Sequence, residues 1–295
     1  MEDNMASCAT EIAQPTLTRG VLLRRAARGA GMTLAASALA ATPGLTIARA
    51  ASAAIRRNTM EAQVKPTVVL VHGAFADGSS WSRVIQLLQV AGHQVVAVQL
   101  GLASLADDIA ITRGVLAAQS GPTVLVGHSY GGMVITGAGG GLPHVISLVY
   151  IAAFAPAEGE SVPQAVAGFP AAPGGAHYIP DYRAGFLRVD PAAYPQVFMQ
   201  DVNPVEARAL AATQKPAAAA AFGATSGPPA WRALPSWYLV SEDDRMINPD
   251  AERHMAARIG ATTIAVRGAS HAVMISHPGE VAAAIQAAAR VSAHT

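Results

Sequence analysis

The chain has 295 residues, 52% of them hydrophobic and only 13% charged, which suits a single large α/β core. Its net charge of +1 and scattered Lys and Arg residues offer no basic patch, which excludes a nucleic-acid binder. The one cysteine, Cys8, precedes the body of the chain, so a disulfide framework, a thiolate zinc site and a cysteine nucleophile are excluded there.

The first fifty residues differ from the rest. A polar leader ends in Arg24-Arg25 with Arg28 nearby, Gly29 to Ala48 carries no charge, and Ala48-Arg49-Ala50 offers a small-x-small cleavage pattern. Residues 1–50 read as an export signal, and the paired arginines resemble a twin-arginine leader, although Ala26 and Ala27 replace the bulky apolar residues usual after the pair. The expected product is periplasmic or secreted and begins at Ala51. Pro43 and the many alanines argue against a spanning helix, so no membrane insertion of the mature chain is expected.

After a polar linker over residues 51–66, strands and helices alternate. Thr67 to Val71 reads as a strand, Trp81 to Val90 as a helix stopped by Gly92, Val95 to Val98 as a strand and Leu105 to Ala118 as a helix. Thr123 to Val126 is a strand, Tyr130 to Thr136 a short helix stopped by Gly137, and Val145 to Ala153 a near-continuous apolar run. The pattern resumes with a strand at Trp237 to Val240, a helix from Asp250 to Arg258, a strand at Thr262 to Val266 and a helix from Glu280 to Arg290. Such runs with helices between them predict a mostly parallel sheet of about six strands, covered on both faces.

Residues 156–233 break this pattern into Pro, Gly and Ala with scattered aromatics and one plausible helix, Val205 to Gln214. That length is too great for a plain loop. A small helical cap inserted over the sheet is the economical reading, with some of Phe169, Tyr178, Tyr182, Phe186, Tyr194 and Phe198 lining a pocket. The Ala217 to Ala221 run reads as compositional only.

Chemistry centres on Gly127-His128-Ser129-Tyr130-Gly131, a Gly-x-Ser-x-Gly pattern with a β-forming run before it and a helix-forming segment after it. A serine in such a turn presents its hydroxyl to the open, and the flanking glycines avoid collision with strand and helix. The hydroxyl needs a base and a third group to orient that base. His271, in the loop after the last strand, is the best-placed base, ahead of His72, His128 and His277. The acid comes from the loop after Trp237 to Val240, where Glu242, Asp243 and Asp244 are all available. The His72-Gly73-Ala74-Phe75 turn offers a backbone N–H which, with that of Tyr130, could hold an oxyanion. Phe75 and His128, beside these groups, are the expected substrate contacts.

Four stretches, VLVHGAFADGSSW (residues 69–81), VLVGHSYGG (124–132), WYLVSEDDRMINPD (237–250) and GASHAVMISHP (268–278), resemble the α/β-hydrolase superfamily. Within it they are similar to the cap-bearing group of methylesterases, hydroxynitrile lyases and related bacterial esterases. The resemblance implies Ser129 as nucleophile, His271 as general base, Asp244 as the orienting acid, and Ala74 and Tyr130 as oxyanion positions. It implies a domain over residues 67–295 without the usual first antiparallel hairpin, acting on a small ester or lactone with neither metal nor organic cofactor. The alternatives it carries are a hydroxynitrile lyase, a cofactor-free haloperoxidase-like enzyme, and a non-catalytic ligand-binding protein, against which the intact Ser, Asp and His set argues. In the lyases of this group a lysine follows the histidine and a hydroxyl residue replaces Gly73, whereas here Ala272, Val273 and Met274 follow His271.

Overall fold

A computed structural model describes residues 65–291; the leader, Cys8 and most of the linker lie outside the described residues. The chain divides into Met1–Ala62 and Gln63–Thr295, and the fold is that of the second unit. In order, β1 (Thr67–Val71), α1 (Ser82–Val90), β2 (Val95–Val98), α2 (Leu105–Ala117), β3 (Thr123–Ser129), α3 (Tyr130–Ala138) and β4 (Val145–Ala153) form the first half. A cap follows with α4 (Val162–Val166), β5 (Tyr178–Pro180), β6 (Phe186–Val189), α5 (Tyr194–Val197), α6 (Pro204–Ala212), β7 (Ala217–Ala218) and α7 (Ala219–Gly223). The chain returns to the sheet as β8 (Ser236–Ser241), α8 (Pro249–Arg258), β9 (Thr262–Val266), α9 (Val273–Ser276) and α10 (Pro278–Ala288).

Six strands lie parallel in the order β2-β1-β3-β4-β8-β9. The central strands β3 and β4 are buried at every position, which is why they read as unbroken apolar runs, while the edge strand β9 exposes Thr262, Thr263 and Ala265. Helix starts are fixed locally. Ser104 accepts the Asp107 N–H ahead of α2, and Asn248 accepts the Asp250 N–H ahead of α8, where Pro249 occupies the first turn. No helix among the described residues is long and apolar enough to cross a membrane.

Two local expectations change. Gly137 does not stop α3, which runs on to Ala138 with Gly139 at its cap. Gly137 serves packing instead: a Cβ there would sit 2.6 Å from Ile109 Cδ1, so its bare backbone lets α2 approach α3. In the cap, the helices are joined by a three-stranded antiparallel sheet, β5-β6-β7. The Ala217 to Ala221 run is therefore structural, supplying β7 and the start of α7. Strands of two to four residues are too short for a period-2 pattern to show.

Two arginines are among the polar links that tie the cap to the sheet domain. Arg83 of α1 donates from Nη2 to both carboxylate oxygens of Glu206 on α6, at 2.8 and 2.9 Å, and from Nη1 to the Ile275 carbonyl. Arg258 of α8 pairs with Glu160 at the cap's start and donates to the Ala155 carbonyl.

The closest packing lies between α3 and the strands beneath it. A Cβ at Gly131 would lie 2.6 Å from the Val71 oxygen and 2.7 Å from that of His72, and one at Gly127 would lie 2.5 Å from the Gly131 oxygen. These obstacles are backbone and have no rotamer to move. Gly131→Ala is expected to destabilise the domain by about 1–3 kcal/mol, read as a drop of several degrees in Tm. Gly168→Ala, where a Cβ meets nothing within 4 Å, is the control and should leave Tm unchanged.

Candidate active site

Four segments converge at the carboxyl edge of the sheet: the turn after β1, the elbow between β3 and α3, and the loops after β8 and β9. The chain leaves β1 toward β2 and returns on the other side as β3, so the crevice opens where the strand order reverses. Ser129 ends β3 with φ 52° and ψ −123°, a conformation rarely adopted by a residue with a side chain. The β3–β4 register shifts between His128 and Ser129, and the Phe154 N–H donates to the Ser129 carbonyl at 3.1 Å, which pins the strained residue from β4's side.

Ser129 Oγ lies 2.9 Å from His271 Nε2, and His271 Nδ1 lies 2.6 Å from Asp244 Oδ2. A carboxylate only accepts, so Nδ1 carries the proton and donates to Asp244, leaving Nε2 to accept from the serine hydroxyl. All three are buried, with Ser129 the most accessible at 8%. Asp244 Oδ1 accepts the Met246 and Ile247 amides at 2.6 and 2.9 Å, which turns the other oxygen toward His271. The rival acids are used elsewhere: Glu242 pairs with Arg253 and Arg267, and Asp243 is exposed, its carbonyl accepting from Gln200.

The His271 loop is held partly from the cap. Asp201 Oδ2 accepts the Ser270 N–H at 2.9 Å, and the Phe198 carbonyl accepts the Ala272 N–H at 3.1 Å. The Phe198 ring meets His271 edge-on, with centroids 4.8 Å apart. None of these cap contacts carries a sequence motif.

Ala74 lies on the wall beside Ser129, just before Phe75, whose φ of 62° bends the turn. Tyr130 opens α3, so its N–H has no intrahelical partner. Gly73 is wedged beneath: a Cβ there would lie 2.7 Å from Ser129 Cβ. His72 donates from Nδ1 to the Gly73 carbonyl and accepts the Leu100 N–H at Nε2, and burial pulls its pKa down to about 4, so it stays neutral and shapes the turn.

A cavity of about 330 Å³ opens at Ser129 and His271. Phe75, Phe154, Tyr178, Phe222 and Met246 contribute to its walls, and no Lys, Arg, Asp or Glu does. Phe75 is thus part of the wall of this cavity. His128 is not: its ring is wholly buried beneath His271, 4.7 Å away between centroids, with Nε2 donating to the His271 carbonyl at 2.8 Å. Burial pulls its pKa well down, so it acts as a neutral prop rather than a substrate contact. Of the cap aromatics, Tyr178, Phe198 and Phe222 reach the cavity, Tyr194 is buried beside it, and Tyr182 is 90% exposed.

Two buried carboxyls escaped sequence reading. Asp108 accepts the Leu102 N–H and the Tyr130 hydroxyl, both at 3.0 Å, and so anchors the residue after Ser129. Glu252 is fully buried on α8. Each lies on its helix's apolar stripe, Leu105, Asp108, Thr112, Leu116 and Ala251, Glu252, Met255, and that placement was the available signal. Among the described residues no three His, Cys, Asp or Glu side chains cluster as metal ligands.

Comparison with known proteins agrees with this architecture. A carbendazim hydrolyzing esterase of Nocardioides sp. (strain SG-4G) is 38% identical over 107 residues, 32% of this chain and 44% of that esterase, so the match spans under half of that relative. The alpha/beta hydrolase nvfD of Aspergillus novofumigatus (strain IBT 16806) is 28% identical over 256 residues, 77% of this chain and 97% of its own. The solved pyrethroid hydrolase from Sphingobium faniae JZ-2 shares the fold with TM-score 0.64 and 24% identity, over 77% of this chain and 98% of its own. The profile of the alpha/beta hydrolase family matches residues 68–284, and the chain belongs to that family.

Proposed function

We propose that the chain is a serine hydrolase that cleaves a small, uncharged carboxylic ester or lactone through an acyl-enzyme. The observation that carries this reading is the continuous hydrogen-bond chain from Ser129 through His271 to Asp244, opening on an uncharged cavity. His271 takes the Ser129 proton as Oγ attacks the carbonyl carbon, and Asp244 stabilises the imidazolium so formed. The oxyanion is held by the Ala74 and Tyr130 amides, where one lost donor typically costs about 3 kcal/mol of transition-state stabilisation. His271 then protonates the leaving alcohol, and a water activated by the same imidazole releases the acid. The partial match to an esterase and the shared fold with a pyrethroid hydrolase support ester chemistry.

The geometry favours ester cleavage over cyanohydrin cleavage. Ala272, Val273 and Met274 are buried apolar residues, and the cavity wall holds no cation to receive cyanide. A hydroxyl side chain at position 73 would collide with Ser129. An unpaired anion in such a site is costly.

Ser129→Ala is expected to lower ester turnover on the order of 10⁶-fold and to abolish fluorophosphonate labelling while the circular dichroism spectrum stays intact. Labelling that survives would remove Ser129 from the nucleophile role. Asp244→Asn should lower kcat by about 10⁴-fold through the wrong histidine tautomer, whereas Asp243→Asn, at an exposed carboxylate, should stay near wild type. Equal losses in the two variants would count against Asp244. Purified protein should hydrolyse p-nitrophenyl acetate and release no cyanide from mandelonitrile; faster cyanide release than acetate hydrolysis would reverse the reaction class.

A further inference from the structure

Glu252 has no part in the reaction just described, yet it is among the most deeply buried ionisable groups of the domain. It is buried in the first turn of α8, directly after the loop that carries Asp244. Its Oε2 accepts the Ser241 N–H at 3.1 Å, and its Oε1 is buried without a hydrogen-bond partner. Ser241 also receives the Asp244 N–H on its carbonyl, at 3.2 Å, so the Glu252 carboxyl and the Asp244 backbone are tied to the same residue at the end of β8.

An ionised Glu252 would place an uncompensated charge in the core beside a second carboxylate. Two carboxyls sharing one buried site do not both ionise. Counting donors decides which keeps the charge. Asp244 receives three N–H donors, from Met246, Ile247 and His271, whereas Glu252 receives one.

We propose that Glu252 is a positioning residue for Asp244: a neutral carboxylic acid whose Oε1 proton is directed at the Asp244 carboxylate and helps to hold it facing His271. The role rests on the serine-hydrolase reading of the Ser129, His271 and Asp244 chain. Burial first, and the Asp244 charge second, push the Glu252 carboxyl well above the usual carboxylate range, in the direction the donor count requires. The other groups around it fit a neutral acid. Tyr238 of β8 is occupied with the Ala153 backbone, and Arg253 of α8 points outward into ion pairs with Asp250 and Glu242.

The test compares Glu252→Gln, which keeps an N–H donor and cannot ionise, with Glu252→Leu, which removes the donor. Glu252→Gln should keep kcat for p-nitrophenyl acetate within about threefold and leave the acid limb of its pH profile in place. Glu252→Leu should lower kcat about 10- to 100-fold, the effect of losing a hydrogen bond to a charged group, with KM little changed. Infrared difference spectra of wild type minus Glu252→Gln in D₂O at neutral pH should show the carbonyl stretch of a protonated carboxylic acid. Absence of that band, or an acid limb displaced by a full pH unit in Glu252→Gln, overturns the proposal, as does wild-type kcat in Glu252→Leu. The infrared measurement requires no turnover, so it separates the two failures. An intact band in a protein that hydrolyses no ester supports the proton assignment and counts against the hydrolase reading alone.

Discussion

The structure depends on how closely α3 approaches the strands beneath it. Gly127 and Gly131 leave no room for a methyl group against backbone oxygens, and this contact turns the chain from β3 into α3 within one residue. That residue is Ser129, held at φ 52°, in a region whose occupation costs about 1–3 kcal/mol. The parallel ladder from β1 to β8 supplies the rigidity that sustains the strain. In return Oγ stands clear of the sheet, and the Tyr130 amide is freed at the start of a helix.

Burial sorts the polar groups around this turn by charge. His72 and His128 lie so deep, with backbone partners on their rings, that both stay neutral and serve as struts. His271 is as buried as they are, yet it alone has a carboxylate on one nitrogen and a hydroxyl on the other. Three buried histidines around one site therefore have different capacities, and their partners rather than their depth make the distinction.

Legibility in the sequence followed the length and regularity of the signal. The parallel sheet was readable because both its faces are covered and its strands are uninterrupted apolar runs, and Ser129 because strand, Gly-x-Ser-x-Gly and helix occur in one order. Asp244 needed the family resemblance, since three adjacent acids look alike until the Met246 and Ile247 amides select one. The cap's small sheet was silent, its strands of two to four residues being too short for a period-2 alternation to stand out. Asp108, Asp201 and Glu252 were missed because each acts through contacts distant in sequence, and a single acid in an apolar stripe resembles noise. His128 was misjudged because adjacency to the nucleophile in sequence puts its side chain on the opposite side of the strand.

The uncharged wall of the cavity bears on what happens after the bond is broken. On the proposed reading a neutral guest enters and an acid leaves, and at neutral pH that acid is an anion facing Phe75, Phe154, Tyr178, Phe222 and Met246 with no cation among them. Such surroundings solvate a carboxylate far less well than water does. On that reading the lack of polarity that admits a neutral ester also disfavours retention of the charged acid.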